Sequence, residues 1–108
     1  MAADFPLTPE PTFRAKVDIP VPGKKPHRLE FIFKWRDLDE FRVWFDGIGN
    51  YESDTDAIMD IASGWDHKLP FERENVEKIV KGYIGSAGAV IQKYMQENTG
   101  ARQGNSGN

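Results

Sequence analysis

DTDAIMDIASGWD (residues 54–66), then KLP (68–70), then FERENVEKIVKGYIGSAGAVIQKY (71–94), is the stretch that decides the fold. Ile58, Ile61, Ala62 and Trp65 recur there at i, i+3, i+4 and i+7. Val76, Ile79, Val80 and Tyr83 repeat that spacing, and so do Ala87, Val90, Ile91 and Tyr94. Each set lies on one stripe of an α-helix. Three stripes joined by short turns are buried only by packing on one another. The helical cluster is therefore expected to form the core, with the N-terminal residues laid against it.

Working outward, residues 12–21 alternate. Phe13, Ala15, Val17 and Ile19 point one way, and Arg14, Lys16 and Asp18 the other, as in a half-buried strand. Residues 22–26 (PGKKP) form a turn cluster. Residues 27–35 alternate again, with Leu29, Phe31, Phe33 and Trp35 on the apolar side. Together they predict a β-hairpin over 12–35 whose apolar face needs helices to cover it. Pro20 cannot donate to a ladder, so its N side is expected at an edge.

Asp37 with Glu40 makes a capping-box pattern. Leu38, Phe41, Trp44, Phe45 and Ile48 form the stripe of a helix that Gly47 and Gly49 end, and this helix is expected to cover the hairpin. Ser53 or Asp54 caps the next helix. Gly64 suits a left-handed C′ position that folds Trp65 back onto it. Ser86 is expected to cap the last helix, and Gly88 to mark the close passage of another backbone. The expectation is an α+β protein, an N-terminal β-hairpin packed on a small bundle of about four helices. It has one domain over 12–100, with helices from about 37, an extended flexible arm over 1–11 and a disordered polar tail over 101–108.

Composition narrows the function. The chain of 108 residues has no cysteine, which removes disulfides, thiolate catalysis and cysteine-based zinc sites. No apolar run follows a basic N-terminal segment, and none reaches about 18 residues, so neither signal peptide nor membrane span is expected. The net charge of −3 and mixed signs argue against nucleic acid. Lys24, Lys25 and Arg28 read as a solvated hairpin tip. His27 and His67 have no second ligand at helical spacing. Asp37-Leu-Asp39 and Asp54-Thr-Asp56 read as helix starts, since neither continues into a calcium loop. No nucleophile, base and orienting group come together. No enzyme activity, cofactor or metal is therefore expected.

Apolar residues off the stripes remain: Ile32, Val43, Met59 and Met95. They read either as core edges and stray surface residues or as a protein–protein surface. Phe5 and Leu7 on the arm read either as part of a mobile terminus or as a contact to a neighbour.

Thr12-Phe13 leading into Val17-Asp18-Ile19-Pro20-Val21-Pro22-Gly23, and then Phe31-Ile32-Phe33-Lys34, resembles the N-terminal hairpin of the tail assembly chaperones of long-tailed bacteriophages and prophages. Gly64-Trp65-Asp66 followed by Phe71 and Glu74-Asn75-Val76 is similar to the family's central turn and next helix. Tyr83-Ile84-Gly85-Ser86-Ala87, Tyr94 and Thr99-Gly100-Ala101-Arg102 match its C-terminal part. Ile84 stands where Pro is expected, and Glu72 where a capping Ser is usual. The resemblance implies a protein that coats the tape-measure protein, keeps it soluble, recruits the major tail-tube protein, acts in the host cytoplasm and departs before the virion is complete. It also implies a possible homo-oligomer and a longer form made by programmed frameshift. On that reading, the face bearing Val43, Met59 and Met95 contacts the partner, and Phe5 and Leu7 contact a neighbouring copy. The alternatives are a structural virion component such as a tail terminator or connector, a phage-encoded nucleic-acid-binding regulator, and a small enzyme.

Overall fold

The computed structural model describes residues 3–100. The expected disordered tail, residues 101–108, lies outside them, as do the first two residues of the arm. Strands β1 (Thr12–Val21) and β2 (Lys24–Lys34) are followed by helices α1 (Leu38–Asp46) and α2 (Asp54–Ile61), strand β3 (Ala62–Trp65), and helices α3 (Arg73–Gly82) and α4 (Ser86–Thr99). The three strands form one antiparallel sheet in the order β1-β2-β3.

Alternation in the sequence becomes burial in the hairpin. Ala15, Val17 and Ile19 on β1 and Leu29, Phe31 and Phe33 on β2 are all buried. The connection is tighter than the turn cluster suggested. Val21 pairs with Lys24, leaving only Pro22 and Gly23 in the loop, and Gly23 takes φ 73, which other residues rarely adopt. The register slips between Ile19 and Val21, around Pro20, and β1 is an edge strand. The missing N–H of Pro20 is thus tolerated.

The first apolar stripe ends earlier than its spacing predicts. α2 stops at Ile61, and Ala62 to Trp65 run as a strand along the far side of β2. Gly64 sits inside that strand and not at a left-handed helix end. Tertiary pairing prevails over helical phase here. Continuing the helix through Ser63 and Gly64, a poor helix former, would leave an edge of β2 unpaired and Ile32 uncovered. Gly64 lies opposite Ile32, and a Cβ at Gly64 would come within 3.1 Å of Ile32 Cδ1. Asp66 closes the pairing: its N–H donates to the Glu30 carbonyl, and its Oδ1 accepts from the Glu30 N–H, both at 3.0 Å.

Helix α4, not α1, covers the hairpin by packing on β1. Its Tyr94 is fully buried, stacked near Phe13 at 6.1 Å, against Phe33 at 5.4 Å and edge-on to Trp44 at 5.1 Å. Helix α1 reaches the core chiefly through Trp44 and Phe41, both of which touch the Tyr94 ring. The core thus forms between the sheet and α2, α3 and α4, with Phe31, Phe33, Ile58, Ile61, Val76 and Val90 at its centre.

The helix starts follow the sequence except in α4. Asp37 and Glu40 complete a reciprocal capping box on α1. Ser53 caps α2, its Oγ accepting from the Asp56 N–H at 3.1 Å. Ser86, however, is the first residue inside α4 and does not cap it. It is fully buried, and its hydroxyl donates to the Ile79 carbonyl at 3.3 Å, tying α4 to α3. The resemblance singled out Glu72 as a departure at a cap, and Glu72 caps α3 without a side-chain bond. No backbone passes close to Gly88: a Cβ there would meet open space.

Candidate partner-binding surface

Leu69 and Ile84 stand exposed singly in loops, whereas α1 gathers three exposed large apolar residues on one element. Helix α1 has too few contacts to cover its own apolar side chains. Trp44 is buried and Phe41 half-buried, but Leu38 is 64% exposed, Val43 74% and Phe45 51%. Helical geometry splits these into two flanks. Leu38 and Phe45 are seven residues apart and share a side with Phe41, whose ring stacks near Phe45 at 6.3 Å. Val43 lies on the other flank with Asp39 and Glu40.

That second flank forms one wall of an open cleft of about 640 Å³. The opposite walls are Gly47, Asn50 and Tyr51 from the turn after α1, Asp60 from α2, and Arg36. Most of the surface exposed inside it is apolar, supplied by Val43 and Trp44 among others.

A polar network anchors the base of the cleft. Arg36 Nη1 donates to the Tyr94 hydroxyl at 3.0 Å, and Nη2 to Asp60 Oδ2 at 3.2 Å. The guanidinium also lies over the Trp44 and Tyr94 rings, 5.7 and 5.8 Å from their centroids. Tyr94 donates onward to the Lys34 carbonyl at 2.8 Å. Tyr51 donates to the same Asp60 oxygen as Arg36. The backbone of Arg36 is held at both ends by one side chain: its N–H donates to Asn98 Oδ1, and its carbonyl accepts from Asn98 Nδ2, each at 3.0 Å.

Electrostatics keep the network's hydroxyls protonated. Burial, then the hydrogen bond and charge of Asp60, push the Tyr51 hydroxyl up to about 12. Burial raises Tyr94 as well, against the opposing pull of Arg36. The Trp44 indole N–H is buried without a well-formed hydrogen bond, although it favours the ionised form of Tyr51. Asp60 accepts from both Arg36 and Tyr51, so its role here is to bind α2 to the residues on either side of α1.

The structure separates the residues singled out from the sequence. Val43 lines the cleft. Met59 and Met95 are half-buried against the core and do not line it. Phe5 and Leu7 stand in solvent on the arm, 79% and 95% exposed. No motif or spacing in the sequence marks Arg36, Tyr51, Asp60 and Asn98. A usable signal was the charge. Residues 37–60 contain eight carboxylates and one basic residue, Arg42, in a chain whose net charge is only −3. The apolar helix that fails to bury itself is also the acidic one.

The histidines serve local structure. His67 Nδ1 accepts from the Leu69 N–H at 2.9 Å, and His27 meets Tyr83 edge-on. Arg28 at the hairpin tip pairs with Asp18 at 3.0 Å, which lowers the Asp18 pKa. Asp56 pairs with Arg73. Among the described residues, no three His, Asp or Glu side chains are grouped to hold a metal ion, and no helix is long and apolar enough to cross a membrane.

No curated protein and no solved structure matches the chain. A family model described as phage tail assembly chaperone matches residues 1–105, nearly the whole length. The hairpin, the central turn and the C-terminal helix that carry the resemblance all fall within that match, and the chain belongs to the phage tail assembly chaperone family.

Proposed function

We propose that this chaperone binds the tape-measure protein, keeps it soluble while the tail is built, recruits tail-tube subunits to it, and leaves before the virion is complete. The observation that carries this reading is the set of apolar side chains left in solvent on one acidic helix, Leu38, Val43 and Phe45. Large apolar groups exposed on both flanks of one helix offer a binding site to another polypeptide. Family membership supports interaction with phage tail proteins. A long amphipathic partner offers many contacts of moderate strength, which suits a coat that must later detach. The setting is the host cytoplasm. The arm carrying Phe5 and Leu7 reaches a neighbouring copy along the coated partner, and a frameshifted longer form, extended beyond the described residues, works beside the short one.

Co-expression with the tape-measure protein tests the reading. The partner should remain in the supernatant only when the chaperone is present. Leu38→Asp combined with Val43→Asp, both at exposed positions of α1, should return it to the pellet, with circular dichroism checking that the variant is folded. A tape-measure protein equally soluble with and without the chaperone sinks the idea. Deleting residues 1–11 should reduce oligomer size in light scattering. Mass spectrometry of purified virions that finds the chain at stoichiometric levels would show a permanent tail component and overturn the departure step.

A further inference from the structure

We propose that the cleft beside Val43 seats one face of a cationic amphipathic helix, an apolar side chain entering against Trp44 and flanking lysines or arginines meeting Asp39 and Glu40. This deepens the chaperone reading and rests on it for the biological source of the helix. Two independent features of the site converge. The surface exposed inside the cleft is mostly apolar, so it takes an apolar side chain. Its rim is acidic: Asp39, Glu40 and Asp60 face a single cation, Arg36, which Asp60 and the two aromatic rings already hold. Glu40 gives one oxygen to the capping box, and Asp39 is exposed to solvent. The surrounding stretch from 37 to 60 adds further carboxylates and only Arg42 in opposition.

The site selects against two occupants this chain itself offers, its arm and its hairpin. The arm brings Phe5 and Leu7 together with Asp4 and Glu10, and has no basic residue. It would place like charges against the rim. A second copy's hairpin is basic along its outer face, but it exposes no large apolar side chain there, and Ile32 is packed over Gly64. Neither supplies an apolar knob ringed by free cations. An amphipathic helix with a Leu-rich stripe and Lys-rich flanks supplies both.

The experiment uses the full chain and two synthetic helices of about five turns. One carries a leucine stripe with lysine flanks, the other the same stripe with glutamate flanks, each labelled for fluorescence anisotropy. The lysine helix should bind at least tenfold more tightly than the glutamate helix, and more weakly as salt rises. Val43→Arg should weaken it about tenfold or more, the order expected from one valine's burial. Asp39→Asn with Glu40→Gln, which keeps the cap, should weaken it roughly two- to tenfold and flatten the salt dependence. Equal binding of both helices, binding of neither, or binding indifferent to these variants overturns the proposal. Loss of self-association on Val43→Arg without any helix binding assigns the cleft to a second copy and equally overturns it. The tape-measure co-expression assay reads the broader function separately. If the tape-measure protein needs the wild-type chaperone to stay soluble but Val43→Arg changes neither that solubility nor helix binding, the chaperone reading stands and the cleft assignment falls.

Discussion

Tyr94→Phe removes one oxygen from the centre of the molecule and leaves the ring. Burial of the aromatic body is unchanged, as are its contacts with Phe13, Phe33 and Trp44. Two hydrogen bonds are lost: the one donated to the Lys34 carbonyl at 2.8 Å and the one accepted from Arg36 at 3.0 Å. A neutral hydrogen bond contributes about 0.5–1.5 kcal/mol net, and one to a charged group about 1.5–3. Arg36 keeps Asp60 and two ring faces, so the charged bond is taken at its lower end. The expected loss is about 2 kcal/mol, which in a domain of this size lowers Tm by about 8–16 °C. Urea unfolding followed by tryptophan fluorescence measures it, with an unchanged m-value showing that the transition keeps its character. A loss below about 0.5 kcal/mol, within the range of an ordinary surface change, would refute the claim that the hydroxyl knots β2, α2 and α4 together. Tyr94 would then matter as a ring alone.

Gly88→Ala is expected to stabilise α4 by about 0.5–1 kcal/mol, since the new methyl enters open space and helix entropy improves; thermal melting checks it. Gly23→Ala acts oppositely. It forces a side chain into φ 73 and should cost about 1 kcal/mol in urea unfolding although nothing is near enough to clash. The tyrosines set an alkaline limit. The folded pKa of Tyr51, at about 12, lies above the unfolded value of about 10, so its stabilising contribution is complete below pH 10 and lost as pH rises toward 12. Tyr94 is shifted in the same direction. Tyr51→Phe should flatten part of that loss in stability measured across pH 9–12. Val43→Arg should leave unfolding free energy within about 0.5 kcal/mol of wild type, because the side chain it replaces is 74% exposed.

What the sequence made legible was local. The hairpin's alternation, the Asp37–Glu40 capping box, the Ser53 cap and the stripes of α3 and α4 depend on neighbours within a few residues, and each appears in the structure. β3 was hidden because Ile58, Ile61 and Ala62 are in phase for a helix, while Ala-Ser-Gly-Trp alone has little strand character. It becomes a strand because β2, thirty residues earlier in the chain, offers it an edge. Ser86 misled for a related reason: a serine at the start of a helix reads as a cap until the burial that turns its hydroxyl to Ile79 is known. The cleft was legible only in part. Val43 stood out as an apolar residue off its stripe. The Arg36 network joins residues 24 to 62 positions apart, a separation at which no spacing rule operates.

That network explains how a helix so lightly attached to the core is still held in place. Helix α1 rests on the core through little more than Trp44 and Phe41, which alone would let it swing. The residue before its cap, Arg36, is clamped along its backbone by Asn98 and along its side chain by Tyr94 and Asp60. Asp37 then starts the helix in a direction its own capping box sets. At the far end, Tyr51 returns to the same Asp60. Both ends of the exposed segment are therefore tied to one carboxylate on α2, with its apolar side chains facing water between them. A binding surface presented this way loses less conformational entropy on association than a free helix would. The polar groups that anchor α1 from outside the cleft, Asn98 and Tyr94, thus add to affinity without touching the partner. Releasing the Arg36 backbone with Asn98→Ala, which lies outside the cleft lining, should weaken helix binding while Val43, Trp44 and the acidic rim remain in place.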